Sequence, residues 1–266
     1  MGTLVCFHAH PDDESIATAG SMVAAAADGH RVVLVVATLG EEGEVPDGFL
    51  ADGESLAERR EAETRASAQI LGASRVEFLG YRDSGMVGTA TNDHPDAFCR
   101  ADLDEAAGRL AAVLREEGAD VVTIYDENGV YGHPDHVQVH RVGTRAAELA
   151  GTPRVLESTM NRDYLRSLMA EAREADAELG AVDSPDVDEM QLGVPGDRIT
   201  TRVDVTAHVG RKRASMRAHA SQISEQSFFL AMPDEAFTRS FGYEWYIRHG
   251  VPVPVEGYED SIFGEE

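Results

Sequence analysis

Arg31-Val32-Val33-Leu34-Val35-Val36-Ala37-Thr38 is the stretch that decides the fold. Its apolar residues do not alternate with polar ones, and its β-branched side chains favour extended backbone. A strand that is apolar on both faces belongs in the middle of a parallel sheet, covered by helices on either side. The flanking sequence agrees. An apolar run over 4–8 reads as a first strand, and an alanine-rich stretch over 16–28 supplies the crossover helix. Downstream, 54–71 reads as a long charged helix closed by Gly72, a residue suited to the left-handed C-cap. Residues 75–79 form a third strand; after a turn-rich loop, 102–117 is helical and 120–125 is a fourth strand. Then come a helix over 134–149, a short strand over 154–157, and a helix capped by Asn161 and running to about Ala177. This alternation predicts an α/β fold: a Rossmann-like, doubly wound, mostly parallel sheet.

Residues 178–197 lose the pattern in an acidic stretch containing Gly and Pro, read either as a solvated loop or as a lid. A strand over 199–205 and a helix over 209–220 form a C-terminal extension. The aromatic segment 241–247 is expected to cover part of the core or the pocket rim. With 266 residues, no repeats and no low-complexity linker, the chain 1–266 is read as a single domain.

Charge narrows the partners. The chain carries 48 acidic against 23 basic residues, a formal net charge of −25. Nucleic acids and anionic membrane surfaces both require a basic face, so neither is expected. Lys212 is the only lysine. Cys6 and Cys99 form no CxxC, and a chain of this size requires no disulfide. No run approaches the ~18–20 apolar residues of a membrane span, and no basic segment precedes the first apolar one. That run also leads straight into the motif described next, so a cytoplasmic protein is expected; a homo-oligomer is compatible with the sequence.

Two segments carry chemistry: His8-Ala9-His10-Pro11-Asp12-Asp13-Glu14 and Tyr131-Gly132-His133-Pro134-Asp135-His136. Each follows a strand and opens a helix. In an open α/β sheet, ligands bind beyond the carboxyl ends of the strands, where strand order reverses. If the first and fourth strands are neighbours there, the two segments face each other across one crevice. Catalytic zinc takes three protein ligands of the imidazole and carboxylate kind. His10 and Asp13 can reach one ion from their turn, and His136 completes the set from across the crevice. Asp12 is then left as a carboxylate able to take a proton from an activated water. His133 remains to stabilise an oxyanion or protonate a leaving amine, and Tyr131 to add a hydrogen bond. A His-Pro-Asp alone is a common helix start. His94-Pro95-Asp96 follows no strand and is read as a turn without a metal role. Nothing in the sequence resembles a phosphate-cradling glycine loop or calls for an organic cofactor.

At these motifs the sequence resembles the LmbE-like deacetylases. That superfamily includes N-acetylglucosaminyl-phosphatidylinositol de-N-acetylase (PIG-L) and the actinobacterial enzymes of mycothiol metabolism. Its His-Pro-Asp-Asp-Glu run corresponds to His10, Pro11, Asp12, Asp13 and Glu14, and its His-Pro-Asp-His run to His133, Pro134, Asp135 and His136. Thr38 to Gly43, Arg60 with Glu63, Arg82 to Met86, and His219 to Gln222 match further family segments. The resemblance implies a Rossmann-like fold, zinc, and hydrolysis of an N-acetyl group on an amino-sugar conjugate such as N-acetylglucosaminyl inositol. It repeats the ligand set His10, Asp13 and His136 with Asp12 as base, and adds Arg60, Asp83 and Glu41 as sugar contacts. Iron, cobalt and manganese also suit such ligands.

The chain departs from the mycothiol-conjugate amidases, which carry a lysine shortly after the first motif; here Ser15 to Gly20 contain none. Its C-terminal part, with Phe228, Phe229, Glu244, Trp245 and Tyr246, also differs from what the dedicated inositol-sugar deacetylases lead one to expect. The alternatives are an amidase cleaving a larger acyl group, a metal-dependent phosphoesterase, and a non-catalytic sugar-binding relative. A single ligand set and little positive charge near the motifs count against the phosphoesterase.

Overall fold

The computed structural model describes residues 1–177 and 192–264. The strands are β1 (Thr3–His8), β2 (Arg31–Val36), β3 (Arg75–Phe78), β4 (Val121–Tyr125), β5 (Arg154–Thr159), β6 (Thr201–Asp204) and β7 (Tyr243–Arg248). The helices are α1 (Asp13–Ala17), α2 (Ala19–Ala27), α3 (Leu56–Leu71), α4 (Leu103–Glu117), α5 (Gly129–Gly132), α6 (Pro134–Ala150), α7 (Arg162–Ala177), α8 (Val209–Ala218), α9 (Phe228–Ala231) and α10 (Asp234–Phe241). One sheet runs in the order β3-β2-β1-β4-β5-β7-β6. Its first five strands pair in parallel, and β7 lies antiparallel to both β5 and β6. The expected doubly wound α/β fold is therefore present, with the reversal of strand order at β1 and β4.

The two-sided apolar pattern does what it predicts. Val5 and Phe7 of β1 pack with Val33 and Val35 of β2 beneath α4 and α6. Leu4 and Cys6 pack with Val32, Leu34 and Val36 on the opposite face, against α2 and α3. Alternate residues thus fill two separate cores, as the period of a strand requires. Helix α3 opens on a capping box between Ser55 and Glu58, and Gly72 closes it in the left-handed conformation.

Two expectations need correction. The helix read over 16–28 starts earlier, at Asp13, and breaks at Thr18, whose φ of −133° is not helical. Thr18 Oγ1 lies 2.9 Å from His8 Nε2, a tie to β1 that an alanine-rich run does not announce. The aromatic segment over 241–247 is more than a cover: most of it is β7, a strand inside the sheet, while Phe241 and Trp245 line a cavity. For 178–197, the part over 178–191 lies outside the described residues; Gly193 N donates to Val130 O, and Val194 bridges to Asn161. His94 and Asp96 sit in a turn that pairs with the loop after β3, where Arg82 N donates to Asp96 O.

Strand β7 is tied to α2 by charge. Glu244 accepts the N–H groups of Gly20 and Ser21, each at 2.8 Å, and pairs with buried Lys212 at 2.6 Å. Gly20 is packed so closely that a Cβ there would lie 2.4 Å from Cβ of Val205. Gly20→Ala gains about 1 kcal/mol of helix propensity but meets an overpacking cost of about 1–3 kcal/mol. We expect net destabilisation, seen as a lower urea midpoint at unchanged slope; a higher midpoint would contradict this packing.

Candidate active site

Both motifs lie at the carboxyl end of the sheet. The first leaves β1 with Asp12 in a left-handed backbone conformation, φ 94°, from which α1 starts. Aspartate tolerates this conformation better than most residues. The Asp12 N–H is held by Glu14 Oε2 at 3.2 Å, and Glu14 Oε1 in turn takes His219 Nε2 at 2.6 Å and Ser67 Oγ at 2.5 Å.

The second motif is set by a tight turn after β4. Asp126 Oδ1 accepts the N–H groups of Asn128 and Val130 at 3.0 and 2.9 Å, while Oδ2 accepts Thr159 Oγ1. Gly129, at φ 62°, lies against the next helix, where a Cβ would come within 2.6 Å of Cβ of His136. Pro134 occupies the first turn of α6, and His133 caps that helix by accepting the Asp135 N–H at Nδ1, 3.1 Å away. That bond assigns the His133 ring proton to Nε2.

The motifs meet. His10, His133 and His136 are buried and present nitrogens within 4.8 Å of one another. Asp13 lies between two of these rings, with Oδ2 3.5 Å from His10 Nδ1 and Oδ1 3.4 Å from His136 Nε2. Tyr125 stacks on His136 with ring centroids 4.4 Å apart, and the Tyr131 hydroxyl is 3.5 Å from His136 Nε2. Asp12 stands beside the cluster, 3.3 Å from Arg60 Nη2. Burial raises its carboxyl to about 6, although Arg60 works against the rise. Burial also raises Asp13, but the neighbouring His136 and His10 outweigh it and hold the carboxyl well below its ordinary value. The His133 ring is pushed down to about 4 by burial and by the neighbouring His10 and His136. In Tyr131, burial and the surrounding carboxylates raise the phenol, so the hydroxyl keeps its proton.

Of the three residues suggested as sugar contacts, Arg60 is buried and donates to the carbonyls of Gly40 and Pro11 at 2.7 and 2.5 Å. Asp83 is also buried; its Oδ1 lies 3.4 Å from His10 Nε2 and accepts the Gly85 N–H. Glu41 is half-buried and accepts the Asp83 N–H at 3.1 Å. The sequence reading assigns no part to Asp135, yet this fully buried carboxylate lies 3.2 Å from His10 Nε2 and takes both the N–H and the hydroxyl of Ser84. Its place between two motif histidines was the available signal. As an acid in a first helical turn, it reads in sequence as a helix start.

Comparison with known proteins settles the family. A family model described as PIG-L, GlcNAc-PI de-N-acetylase, matches residues 5–147. The chain belongs to the PIG-L family. A relative from Acidothermus cellulolyticus, named 1D-myo-inositol 2-acetamido-2-deoxy-alpha-D-glucopyranoside deacetylase, is 43% identical over 98% of this chain and 94% of its own. That match spans nearly the whole chain of this PIG-L protein, its C-terminal part included. Two solved structures share the fold. N,N'-diacetylchitobiose deacetylase from Pyrococcus horikoshii has a TM-score of 0.58 at 23% identity, covering 92% of this chain and 83% of that one. A 4-carboxy-2-hydroxymuconate hydratase from Pseudomonas putida has a TM-score of 0.61 at 20% identity, covering 97% and 99%. The PIG-L chain is thus a deacetylase by family, on a fold that also carries other chemistry. No helix among the described residues is long and apolar enough to cross a membrane.

The turn after β4 invites a direct test. Asp126→Ala removes the acceptor of two part-buried backbone donors and of the buried Thr159 hydroxyl, with an expected cost of about 1–3 kcal/mol. Deacetylation should fall with it, since Tyr131, His133 and His136 all follow that turn. Unchanged stability in chemical denaturation would remove Asp126 from this role.

Proposed function

We propose that this protein removes the acetyl group from N-acetylglucosaminyl inositol, using a divalent cation held by His10, Asp13 and His136. The observation that carries the reading is the convergence of these three side chains, with Asp12 beside them, at the reversal of strand order. Buried imidazole and carboxylate donors suit zinc, and also iron, cobalt or manganese. His10 has the outer support that metal-binding histidines usually have: its far nitrogen faces the carboxylates of Asp135 and Asp83. The bound cation supplies Lewis-acid polarisation of the amide carbonyl and acidifies a water.

The chain's own groups do the rest. Asp12, with its carboxyl near 6, takes a proton from the attacking water as the water oxygen bonds to the carbonyl carbon. His133 presents its Nε2–H to the carbonyl oxygen as charge gathers there, and Tyr131 adds its hydroxyl. A neutral imidazole suits that part, because burial and its neighbours oppose a charged ring. When the C–N bond breaks, the departing nitrogen takes the proton that Asp12 accepted, so neutral amine and acetic acid form, and the acid gives its remaining proton to Asp12 or solvent and leaves as acetate. Arg60 and Asp83 serve this site by holding Pro11 and His10 in place, and Glu41 by holding the loop of Asp83. The relative's name supplies the inositol conjugate as the substrate to test first.

Two measurements check this. Zinc-loaded protein should release primary amine faster from N-acetylglucosaminyl inositol than from N-acetylglucosamine, with loss on chelation and recovery on adding zinc. No release from either substrate, in protein holding one equivalent of metal, would refute the assignment. Asp12→Asn should keep its metal while turnover drops about 10²–10⁴-fold; near wild-type turnover would remove Asp12 as the base.

A further inference from the structure

The reacting cluster has two unlike flanks. On the His10 side the loops after β2 and β3 bring polar side chains, Glu41, Arg82 and Asp83. On the side of His136 and Tyr131 opens a cavity of about 530 Å³ that reaches Asp12 and Asp13. Its wall is made largely by Leu165 and Leu168 of α7, Phe228 and Phe229 of α9, Phe241 of α10 and Trp245 of β7. Among the described residues, the only other charged side chains there, Lys212 and Glu244, pair at 2.6 Å. The apolar surface continues outward: Phe228 is 74% exposed, and Tyr131 and Met160 at the same cavity are 43% and 37% exposed. Large exposed apolar side chains gathered at one mouth call for an occupant, whereas scattered ones do not.

A polyol conjugate gains little from such a wall, and an acetyl methyl fills only a small part of it. We propose that the cavity is an acyl subsite, and that the enzyme hydrolyses amino-sugar amides whose acyl group is a medium-length alkyl chain. This rests on the deacetylase reading above and names a further substrate class for the same site. A linear amide placed with its carbonyl at the cluster must send its two substituents in different directions. The sugar takes the polar flank, and the alkyl chain takes the apolar one. The bond changes are those of acetyl removal: water oxygen bonds to the carbonyl carbon, the C–N bond breaks, nitrogen gains one water proton, and the new fatty acid gives the other to solvent and leaves as the carboxylate. Each methylene passing from water into the wall lowers the free energy of the bound transition state, so selectivity should rise with chain length until the cavity is full.

The test uses zinc-loaded enzyme and glucosamine N-acylated with acetyl, butanoyl, hexanoyl or octanoyl, together with the octyl glycoside of N-acetylglucosamine. kcat/KM for hexanoyl should exceed that for acetyl by at least about tenfold. Leu168→Asn, on the half-buried face of α7, should cut that ratio severalfold, with Leu165→Gln as a second variant and thermal melts checking both folds. A steady fall in kcat/KM from acetyl to octanoyl would overturn the acyl subsite and leave the deacetylase standing. A gain on the octyl glycoside that Leu168→Asn abolishes, without one on the acyl series, would give the cavity to the aglycone and overturn the assignment. A hexanoyl preference untouched by both variants would also overturn it. No amine from any substrate would instead sink the deacetylase reading itself.

Discussion

Burying a cluster of carboxylates is the constraint that the rest of this structure answers. Asp12, Asp13, Glu14, Asp83 and Asp135 lie within or beside one crevice, and an unpaired buried charge is among the costliest groups a protein can hold. Each has a partner: Arg60 for Asp12, His136 and His10 for Asp13, His219 for Glu14, and His10 for Asp83 and Asp135. Asp13, Glu14 and Asp135 also lie in first helical turns, where backbone N–H groups face the cluster and favour negative charge. The chain as a whole remains strongly acidic, with a formal net charge of −25.

The sheet explains why these partners come from distant parts of the chain. Strand order reverses at β1 and β4, so the loops leaving those strands part in opposite directions and leave a crevice that neither fills. Helices α3 and α8 reach it from one face, bringing Arg60, Ser67 and His219, while the loop after β3 brings Asp83 and Ser84. This architecture specifies a place for chemistry and not the chemistry itself, as a hydratase on the same fold makes plain. What distinguishes the deacetylase is the set of side chains delivered there.

Much of this was legible in sequence because it is local. The run over 31–38 revealed a two-sided strand through its own composition, and the placement of two His-Pro-Asp motifs after strands separated them from the turn at His94. Features that depend on distant pairing were not legible. Segment 241–247 has the residues of a strand, but nothing within it says that β7 enters between β5 and β6. Thr18 breaks a helix through a contact with His8 that no alanine-rich pattern encodes. Asp135 could be read as a helix-starting acid, and only the arrival of Ser84 and His10 from elsewhere makes it a support for the cluster. Arg60 was read as a sugar contact; that its guanidinium donates to two main-chain carbonyls and pairs with Asp12 depends on residues distant in sequence.

The pairing of the single lysine has a practical side. Lys212 is 1% exposed and held by Glu244, so the folded chain presents almost no side-chain amine to solvent. Reagents that turn fluorescent on meeting a primary amine will find little on the protein beyond its α-amino terminus. The catalyst is therefore nearly silent in the assay that best follows its own product. Immobilisation through amine coupling would likewise be directed to one end of the chain, far more uniformly than in a protein with many surface lysines.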